Sequence, residues 1–457
     1  MKFRGGYHVP LAGRPASEVE VLPEPNVLHI PLSSRRFRFE ELCVEEGQRV
    51  EPGQPLAKDM DNFALPLPAP RAGTVRLEAA EGHLTLEDVE HAPEEPYHPD
   101  QDREHIPQGL GSAGIKRYKL LMLGAWQFFR DAHTDELPDP FSTPAAVVVS
   151  AAHFEPYMAR GDVQIHKRLS NFTRGLEHLQ SLLEYQPIYL MLPQVESDFA
   201  GRVRETLRGY AYVQQVPVPV ECGFDRPGLV ANKLGLGGDD EPVWALDTRG
   251  VLAVDRALTL SRPSTVRIVT IGGPGAEQPR HLLAMPGYPL EELLEGRLTD
   301  ERCPVLNGGV LTGERLSENQ MGLDAECAGL TALAPGPERK VLRFMRPLLE
   351  RPTFANPLSR LLDGRPRQMS PGRLGERRAC ISCGFCTEVC PAGVMPHLIH
   401  KYLYGDQIEE AERVRLDLCV RCGLCSYVCP SKIELYGQFA EAQRTVREEL
   451  AEEEALT

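Results

Sequence analysis

Apolar runs alternate with amphipathic stretches through the middle of the chain. Residues 145–150 and 187–192 are continuous runs of mostly branched, apolar side chains, and between them apolar residues recur at helical spacing from Phe172 to Leu183. Buried strands that alternate with helices predict an α/β domain with a parallel sheet, here over residues 96–262. Ligands of such sheets bind beyond the carboxyl ends of the strands, so we expect a site in the loop from Ser150 to Asp162.

The pattern over residues 1–95 consists of short β-type segments separated by Pro and Gly. Glycines at hairpin corners between Val and Leu predict a small β-sandwich, and the spacing resembles the biotinyl and lipoyl barrel-sandwich hybrid. That family carries a modified Lys at the hairpin tip that follows the glycine at position 53. Here the tip falls near Phe63, and Lys58 comes too early. We therefore predict a docking domain without a swinging arm.

After residue 262 the pattern changes again. A strand of alternating branched residues, a short helix and a Gly-flanked strand or loop follow at residues 266–273, 289–294 and 306–313. This order predicts a β-grasp domain over residues 263–338.

The C-terminal part of the chain is helical in pattern. Residues 339–372 are rich in Pro and Arg and predict a linker, and residues 373–457 predict a helical domain. Its predicted helices cover residues 396–404, 407–414 and 434–454.

Two copies of one cysteine pattern lie in this helical domain. Residues 380–391 and 419–430 each read C-x2-C-x2-C-x3-C-P, the bacterial ferredoxin pattern in which the fourth Cys ligates the other cluster. A cubane takes one thiolate per iron, and glycines such as Gly384 and Gly423 let the loop approach it at positive φ. The crossed rule predicts two [4Fe–4S] clusters. Their ligands are Cys380, Cys383, Cys386 and Cys429 for one, and Cys419, Cys422, Cys425 and Cys390 for the other.

Structural zinc sites and disulfides are the competing interpretations of these cysteines. Zinc takes four ligands from one close pair and a distant second pair, so the third and fourth Cys of each motif would be surplus. Disulfides need an oxidising compartment, and the N-terminus lacks the apolar stretch of a signal peptide. The doubled four-Cys pattern favours clusters. The other four cysteines are predicted to be reduced thiols, namely Cys43, Cys222, Cys303 and Cys327.

Charge and hydropathy limit the partners. The 457 residues include 65 acidic and 50 basic side chains, a net charge of −15, which argues against nucleic acid or an anionic membrane surface as the general partner. No apolar run reaches the roughly 18 residues of a spanning helix. We therefore expect a cytoplasmic chain that is peripheral on the inner face of the cell membrane and is held there by partner subunits.

The order of these domains resembles the RnfC subunit of the Rnf complex and the NqrA subunit of the sodium-translocating NADH:quinone reductase (Nqr), both relatives of the complex I flavoprotein subunit. Residues 5–8 resemble RnfC, whereas residues 10–13 and 121–156 resemble NqrA. The cysteine motifs resemble RnfC, because the NqrA pattern lacks clusters. The resemblance implies a multidomain α/β plus β protein. It would comprise a barrel-sandwich hybrid, a complex I flavoprotein-like α/β domain, an SLBB-like β-grasp domain and a helical two-[4Fe–4S] ferredoxin domain.

The resemblance also implies an FMN and NADH site on the α/β domain. The family's Gly-rich loop appears as Gly109, Gly111 and Gly114, without its Phe-Pro-Thr end, and its Glu-Pro-Tyr loop appears as Glu155 and Tyr157. In the complex I relatives the matching Glu lies close to flavin and nicotinamide, so Glu155 is the leading candidate. The alternatives are a vestigial pocket, as in NqrA, and a flexible turn between domains for the Gly-rich loop.

Two functions follow as hypotheses. The first is an electron-input subunit of an ion-translocating NADH:quinone or NADH:ferredoxin oxidoreductase. It would pass electrons from NADH through FMN and the two clusters to partner subunits and ultimately to quinone or ferredoxin. The alternative is a cluster-bearing adaptor without its own NADH or FMN site, which links a ferredoxin or other redox partner to a quinone-reducing complex. Neither hypothesis assigns a catalytic acid, base or nucleophile.

Overall fold

The computed structural model describes residues 1–9, 11–77, 81–90, 110–183, 186–195, 197–238, 241–335 and 377–456. Within these residues the chain forms four β-sheets, followed by a helical unit at the C-terminal end. This mixture of several sheets and helices agrees with the predicted multidomain α/β plus β class. The predicted linker, residues 339–372, lies outside the described residues, and the predicted domain boundaries stay predictions.

Two small sheets build the N-terminal sandwich. The strands of this region are β1 Val19–Val21, β2 Leu28–Pro31, β3 Glu41–Leu42, β4 Arg49–Val50, β5 Pro55–Asp59, β6 Leu65–Pro68, β7 Gly73–Arg76 and β8 His83–Glu87. One sheet has the order β2-β8-β7-β4 and the other β3-β5-β6. The β5–β6 hairpin turns at Phe63, which has φ 57°, whereas Lys58 lies within β5 opposite Pro66. Lys58 is therefore away from the hairpin tip, as predicted.

A five-stranded sheet forms the α/β unit. Its elements are α1 Ser112–Met122, a 3-10 turn Ala125–Phe128, β9 Arg130–Asp131, β10 Ala146–Ser150, α2 Gly161–Ile165, α3 Leu169–Leu182, β11 Ile188–Pro193, α4 Asp198–Thr206, β12 Val213–Val218, α5 Pro227–Leu234, β13 Val243–Asp247 and α6 Thr248–Leu260. The strand order is β12-β11-β10-β13-β9, parallel except for β9. Side chains on both faces of β10 are buried, Val147 among the residues of α3 and α6 and Val148 among those of α5. Burial on both faces explains why β10 is continuously apolar.

The β-grasp region forms a six-stranded sheet that also takes in β1. Its own elements are β14 Arg267–Gly272, β15 Arg280–Ala284, α7 Leu290–Leu294, β16 Val305–Asn307, β17 Glu314–Arg315 and β18 Gly329–Ala332. The strand order is β1-β15-β14-β18-β16-β17. Strand β1 runs parallel to β15, with Val19 opposite His281. The hydrophobic pattern assigned residues 19–21 to the N-terminal sandwich, because alternation within one strand does not reveal its partner.

Short helices and loops form the C-terminal unit. The helices are α8 Phe385–Glu388, α9 Pro396–Tyr404, α10 Ile408–Arg413, a 3-10 turn Leu416–Leu418, α11 Leu424–Val428 and α12 Leu435–Leu456. Buried apolar side chains from these helices, including Ile399, Leu424 and Phe439, hold the unit together. Helix α9 has the bounds that the sequence predicts. Among the residues described, no helix combines the length and apolarity needed to cross a bilayer.

Residues 1–9 form an extended arm between the α/β unit and the helical unit. Its Gly6 amide donates a hydrogen bond to the Val389 carbonyl at 3.0 Å. The Tyr7 and Cys222 backbones exchange two hydrogen bonds, of 3.4 and 3.1 Å. The arm therefore joins the α/β unit to the loop that carries the first cysteine motif.

Candidate functional site

The two cysteine motifs adopt the same backbone path. The third residue of each motif is left-handed, Ser382 with φ 52° and Arg421 with φ 48°. Gly384 and Gly423 follow with φ 77° and 75°, which confirms the positive φ predicted for both glycines. A short helix then begins in each case, α8 in the first motif and α11 in the second. The sequence repeat is thus a structural repeat.

The eight motif cysteines line two separate cavities. Within the described residues, no three His, Cys, Asp or Glu side chains converge tightly enough to hold a single metal ion; each set of four surrounds a space instead. The fourth cysteine of each motif lines the cavity of the other motif, which is the crossed arrangement that the ferredoxin pattern implies. The inner cysteine set is Cys390, Cys419, Cys422 and Cys425, and the outer cysteine set is Cys380, Cys383, Cys386 and Cys429.

Electrostatics of the thiols follow the same grouping. Burial, reinforced by the neighbouring Cys383 and Cys429 thiols, raises the pKa of Cys386 to about 11. Burial and the Cys390 thiol likewise raise the pKa of Cys419 to about 11 and that of Cys422 to about 12. Four thiolates so close together need compensating positive charge, which ligated iron supplies while displacing the protons. The donor set therefore fits a [4Fe–4S] cubane in each cavity, and the individual ligand assignments stay predictions.

The two cysteine sets differ in their surroundings. Behind the inner set, a Cβ on Gly423 would lie 2.9 Å from the carbonyl carbon of Leu311, so this motif packs directly on the β-grasp unit. Around the outer set, Cys383 is exposed, Ile381 is 68% exposed and Gly384 has open space beside it. The inner set consequently faces the body of the protein and the outer set faces its surface.

A cavity of about 520 Å³ adjoins the inner set. We call it the junction cavity, because four parts of the chain line it. They are residues 33–36 of the sandwich, residues at the carboxyl ends of β10 and β13 and the start of α5, residues 307–309 and 324–328 of the β-grasp unit, and Val420, Arg421 and Tyr436 of the helical unit. Ser150, His153 and Glu155 line it too, so the loop after β10 contributes to a cavity, as expected for a parallel sheet.

Glu155 lies in the cavity wall with its carboxylate already engaged. Its Oε1 accepts hydrogen bonds from the backbone amides of Leu311 and Thr312, at 3.0 and 2.8 Å. The Thr312 hydroxyl also donates to the carboxylate, and Arg226 forms an ion pair with Oε2 at 3.3 Å. Glu155 therefore fastens the α/β unit to the β-grasp loop at residues 311–312.

The other predicted flavin-site residues lie elsewhere. Gly111 caps the N-terminus of α1 and Gly114 lies in its first turn, and neither is among the residues that line the junction cavity. Gly109 lies outside the described residues. Tyr157 is buried, and its hydroxyl donates a 2.7 Å hydrogen bond to the Ala12 carbonyl. The resemblance implied five site residues. Among those in the described part of the chain, Glu155 alone lines the junction cavity.

Opposed charges that the sequence did not reveal line the junction cavity. Burial alone would raise the pKa of Glu326, but the guanidinium groups of Arg36 and Arg130 outweigh it and lower the pKa to about 2. Burial is likewise outweighed at Asp247, where Arg249 and His153 lower the pKa to about 2. Arg36, Arg130 and Glu326 come from distant parts of the chain, whereas Asp247 and Arg249 lie two residues apart. The weak sequence signal was an Asp at the end of strand β13, where it also caps helix α6.

Comparisons with known proteins agree with this architecture. The model of the NqrA second alpha/beta domain matches residues 112–209, that of the NQRA C-terminal domain matches residues 268–318, and that of the 4Fe-4S dicluster domain matches residues 379–433. The NqrA subunit of the Na(+)-translocating NADH-quinone reductase of Pseudomonas aeruginosa is 28% identical over 91% of each chain, and that of Alcanivorax borkumensis is 26% identical over 89% of this chain and 90% of its own. These matches confirm the resemblance to NqrA and the presence of a dicluster domain.

A solved structure of NAD+-reducing [NiFe]-hydrogenase in the H2-reduced state covers 74% of this chain and 65% of its own, with 12% identity and a TM-score of 0.39. That score is too low to argue for a shared overall fold.

Proposed function

We propose that this chain, a relative of the NqrA subunits of Na(+)-translocating NADH-quinone reductases, is a peripheral electron-transfer subunit of an Nqr-like membrane oxidoreductase. The observation that carries the proposal is the pair of crossed cysteine sets, which lie within the residues that match a 4Fe-4S dicluster domain. One-electron transfer is the chemistry that two [4Fe–4S] clusters supply when bound. The eight cysteines would hold them, and the protein would set their potentials through burial, charge and hydrogen bonds to sulfur.

The surroundings of the two sets suggest a direction for the electrons. The inner set adjoins the junction cavity through Val420 and Arg421, and the outer set includes the exposed Cys383. Electrons would therefore enter beside the junction cavity and leave through the outer set to a partner protein. We place the chain on the cytoplasmic side of the membrane, held by partner subunits that pass electrons on to quinone or ferredoxin.

The test is the loss of one cluster at a time from anaerobically purified and reconstituted protein. Cys386→Ala should lose the outer cluster and Cys390→Ala the inner one, because the fourth ligand of each motif crosses over. Each variant should retain about half of the wild-type iron and sulfide. The two variants should retain different electron paramagnetic resonance (EPR) signals. Cys303→Ala, which removes a buried thiol outside both sets, should keep the full iron content. Stoichiometric zinc in place of iron, or a Cys390→Ala protein that resembles Cys380→Ala, would contradict the assignment.

The source of the electrons is the finer part of the proposal. We propose that FMN and NADH bind in the junction cavity, whose volume of about 520 Å³ lies within the range of small-molecule sites. Conversion of a hydride's two electrons into single electrons is the chemistry that a flavin supplies when bound. Arg226, Arg249 and Arg421 line the cavity, and their guanidinium groups would bind phosphate, Arg226 and Arg249 while also paired with Glu155 and Asp247. Addition of NADH to flavin-loaded protein should bleach the flavin absorbance.

The second candidate function is the adaptor without an NADH or FMN site. The engaged carboxylate of Glu155 favours it, since a nucleotide would have to displace hydrogen bonds from Leu311 and Thr312 to reach that group. The absence of Gly111 and Gly114 from the cavity lining points the same way. Equilibrium titration of cluster-replete protein with FMN and with NADH separates the candidates. Binding of neither would leave the adaptor, with a ferredoxin or another redox protein as its donor.

A further inference from the structure

One charged side chain lies in the wall between the inner cysteine set and the junction cavity. Arg421 sits between Cys419 and Cys422 in the chain and lines both cavities. Its left-handed backbone, φ 48°, directs the chain around the inner set. We propose that the positive charge of Arg421 raises the reduction potential of the inner cluster. This inference rests on the proposed function, because it requires a cluster in the inner set.

The other motif provides an internal reference for this residue. Ser382 occupies the equivalent place, with nearly the same φ of 52°, and is exposed. The two loops thus share their backbone and their ligand spacing, and they differ at this place by one full positive charge. The effect of this position can therefore be measured within one molecule, by comparing the reduction potentials of the inner and outer clusters.

Arg421 lies beside the inner set, whose cavity it lines, and its contacts leave its charge largely uncompensated. Its Nη2 donates a hydrogen bond to the uncharged carbonyl of His133 at 3.3 Å. Of the carboxylates nearby, Asp135 is shared with Arg130 at 3.0 Å, and Glu136 is paired with Arg447 of helix α12. Both carboxylates therefore have another cation beside them, and Arg421 retains much of its own field.

That field acts on the redox equilibrium through simple electrostatics. Reduction adds one electron to a cluster, so a fixed positive charge beside it favours the reduced form. Partial burial of the guanidinium reduces screening by water and salt. Removal of the charge should therefore lower the ratio of reduced to oxidised inner cluster at a given solution potential by roughly five- to twentyfold.

The experiment is a redox titration followed by EPR on the full-length, cluster-replete protein. In Arg421→Gln the potential of the inner cluster should become more negative while that of the outer cluster stays unchanged, and Arg421→Lys should retain most of the wild-type value. Arg415→Gln is the matched control, because Arg415 belongs to the same unit but is 60% exposed and paired with Asp417. The signals are assigned with Cys386→Ala, which keeps the inner cluster alone.

Two outcomes would overturn the inference: an inner cluster whose potential is unchanged in Arg421→Gln, or an equal shift in both clusters. If Arg421→Gln fails to hold iron, Ser382→Arg decides instead. The added charge should make the outer cluster's potential more positive, by less than the inner shift because the site is exposed, and no change there would contradict the reasoning. Failure of the proposed function looks different, since no variant, nor the wild type, would then contain iron and sulfide.

Discussion

Substitution of Gly5 by Ala tests how firmly the N-terminal arm is held against the cysteine motif. Gly5 has φ 73°, a conformation that costs a residue with a Cβ about 1–2 kcal/mol. An added Cβ would also lie 2.6 Å from the Cys390 carbonyl carbon and 3.1 Å from the Pro391 nitrogen. Overpacking of this kind costs about 1–3 kcal/mol more. The sum, about 2–5 kcal/mol, should release the arm from the helical unit without unfolding the sandwich.

Limited trypsin digestion reports arm release, because Arg4 lies next to the substitution. If the substitution makes arm release easier by about 3 kcal/mol, native Gly5→Ala protein should be cleaved after Arg4 on the order of a hundredfold faster than native wild-type protein. Each rate is divided by the cleavage rate of the same protein in its denatured form. Gly47→Ala is the matched control: its φ is 76°, but no atom lies within 4 Å of the added Cβ. That variant should lose stability in the sandwich and cleave at Arg4 like the wild type. Equal cleavage of Gly5→Ala and wild-type protein would refute the packing argument.

Two further predictions concern stability. Burial, with a contribution from Arg160, lowers the pKa of His281 to about 4 from 6.5, so as pH falls from about 6.5 to 4 the unfolded chain binds a proton that the folded chain does not. The free energy of unfolding should therefore decrease across that window by up to about 3 kcal/mol, and His281→Gln should flatten the dependence in urea titrations at pH 7 and pH 4.5. Glu155→Gln removes the charge that binds the Thr312 amide and Arg226 and should cost about 1–3 kcal/mol in urea unfolding. Glu314→Gln, at a 65% exposed side chain in the same region, should cost nothing measurable, and equal losses in both variants would contradict the role given to Glu155.

Local patterns predicted the elements whose environment is uniform. Strand β10 is buried on both faces, so its continuous run of apolar residues identified it with nearly correct bounds. Helix α9 begins at Pro396, which fits the first turn of a helix, and its bounds were also predicted correctly. The repeated spacing of the cysteine motifs predicted two loops with the same backbone path, which the left-handed residues and the following short helices confirm. In each of these cases the information lies within a few residues of the chain.

The parts that escaped prediction depend on partners far away in sequence. Strand β1 pairs with β15, roughly 260 residues later, and nothing in its three residues specifies that partner. The engagement of Glu155 by the backbone at residues 311–312 is equally nonlocal. A family motif implied a nucleotide contact for Glu155, which stays a prediction; the motif carried no sign that the carboxylate also binds the neighbouring unit. Local motifs predicted candidate site residues, but the contacts of those residues depend on tertiary packing.

The pairing of β1 with β15 also affects how the chain folds during synthesis. Residues 19–21 leave the ribosome early, but their partner strand β15 is synthesised much later. The arm at residues 5–7 binds Val389, which is synthesised later than β15. Contacts of such large sequence separation form slowly, because a long loop must close before they contribute. The N-terminal arm should therefore reach its native position only after the cysteine-bearing region has been synthesised.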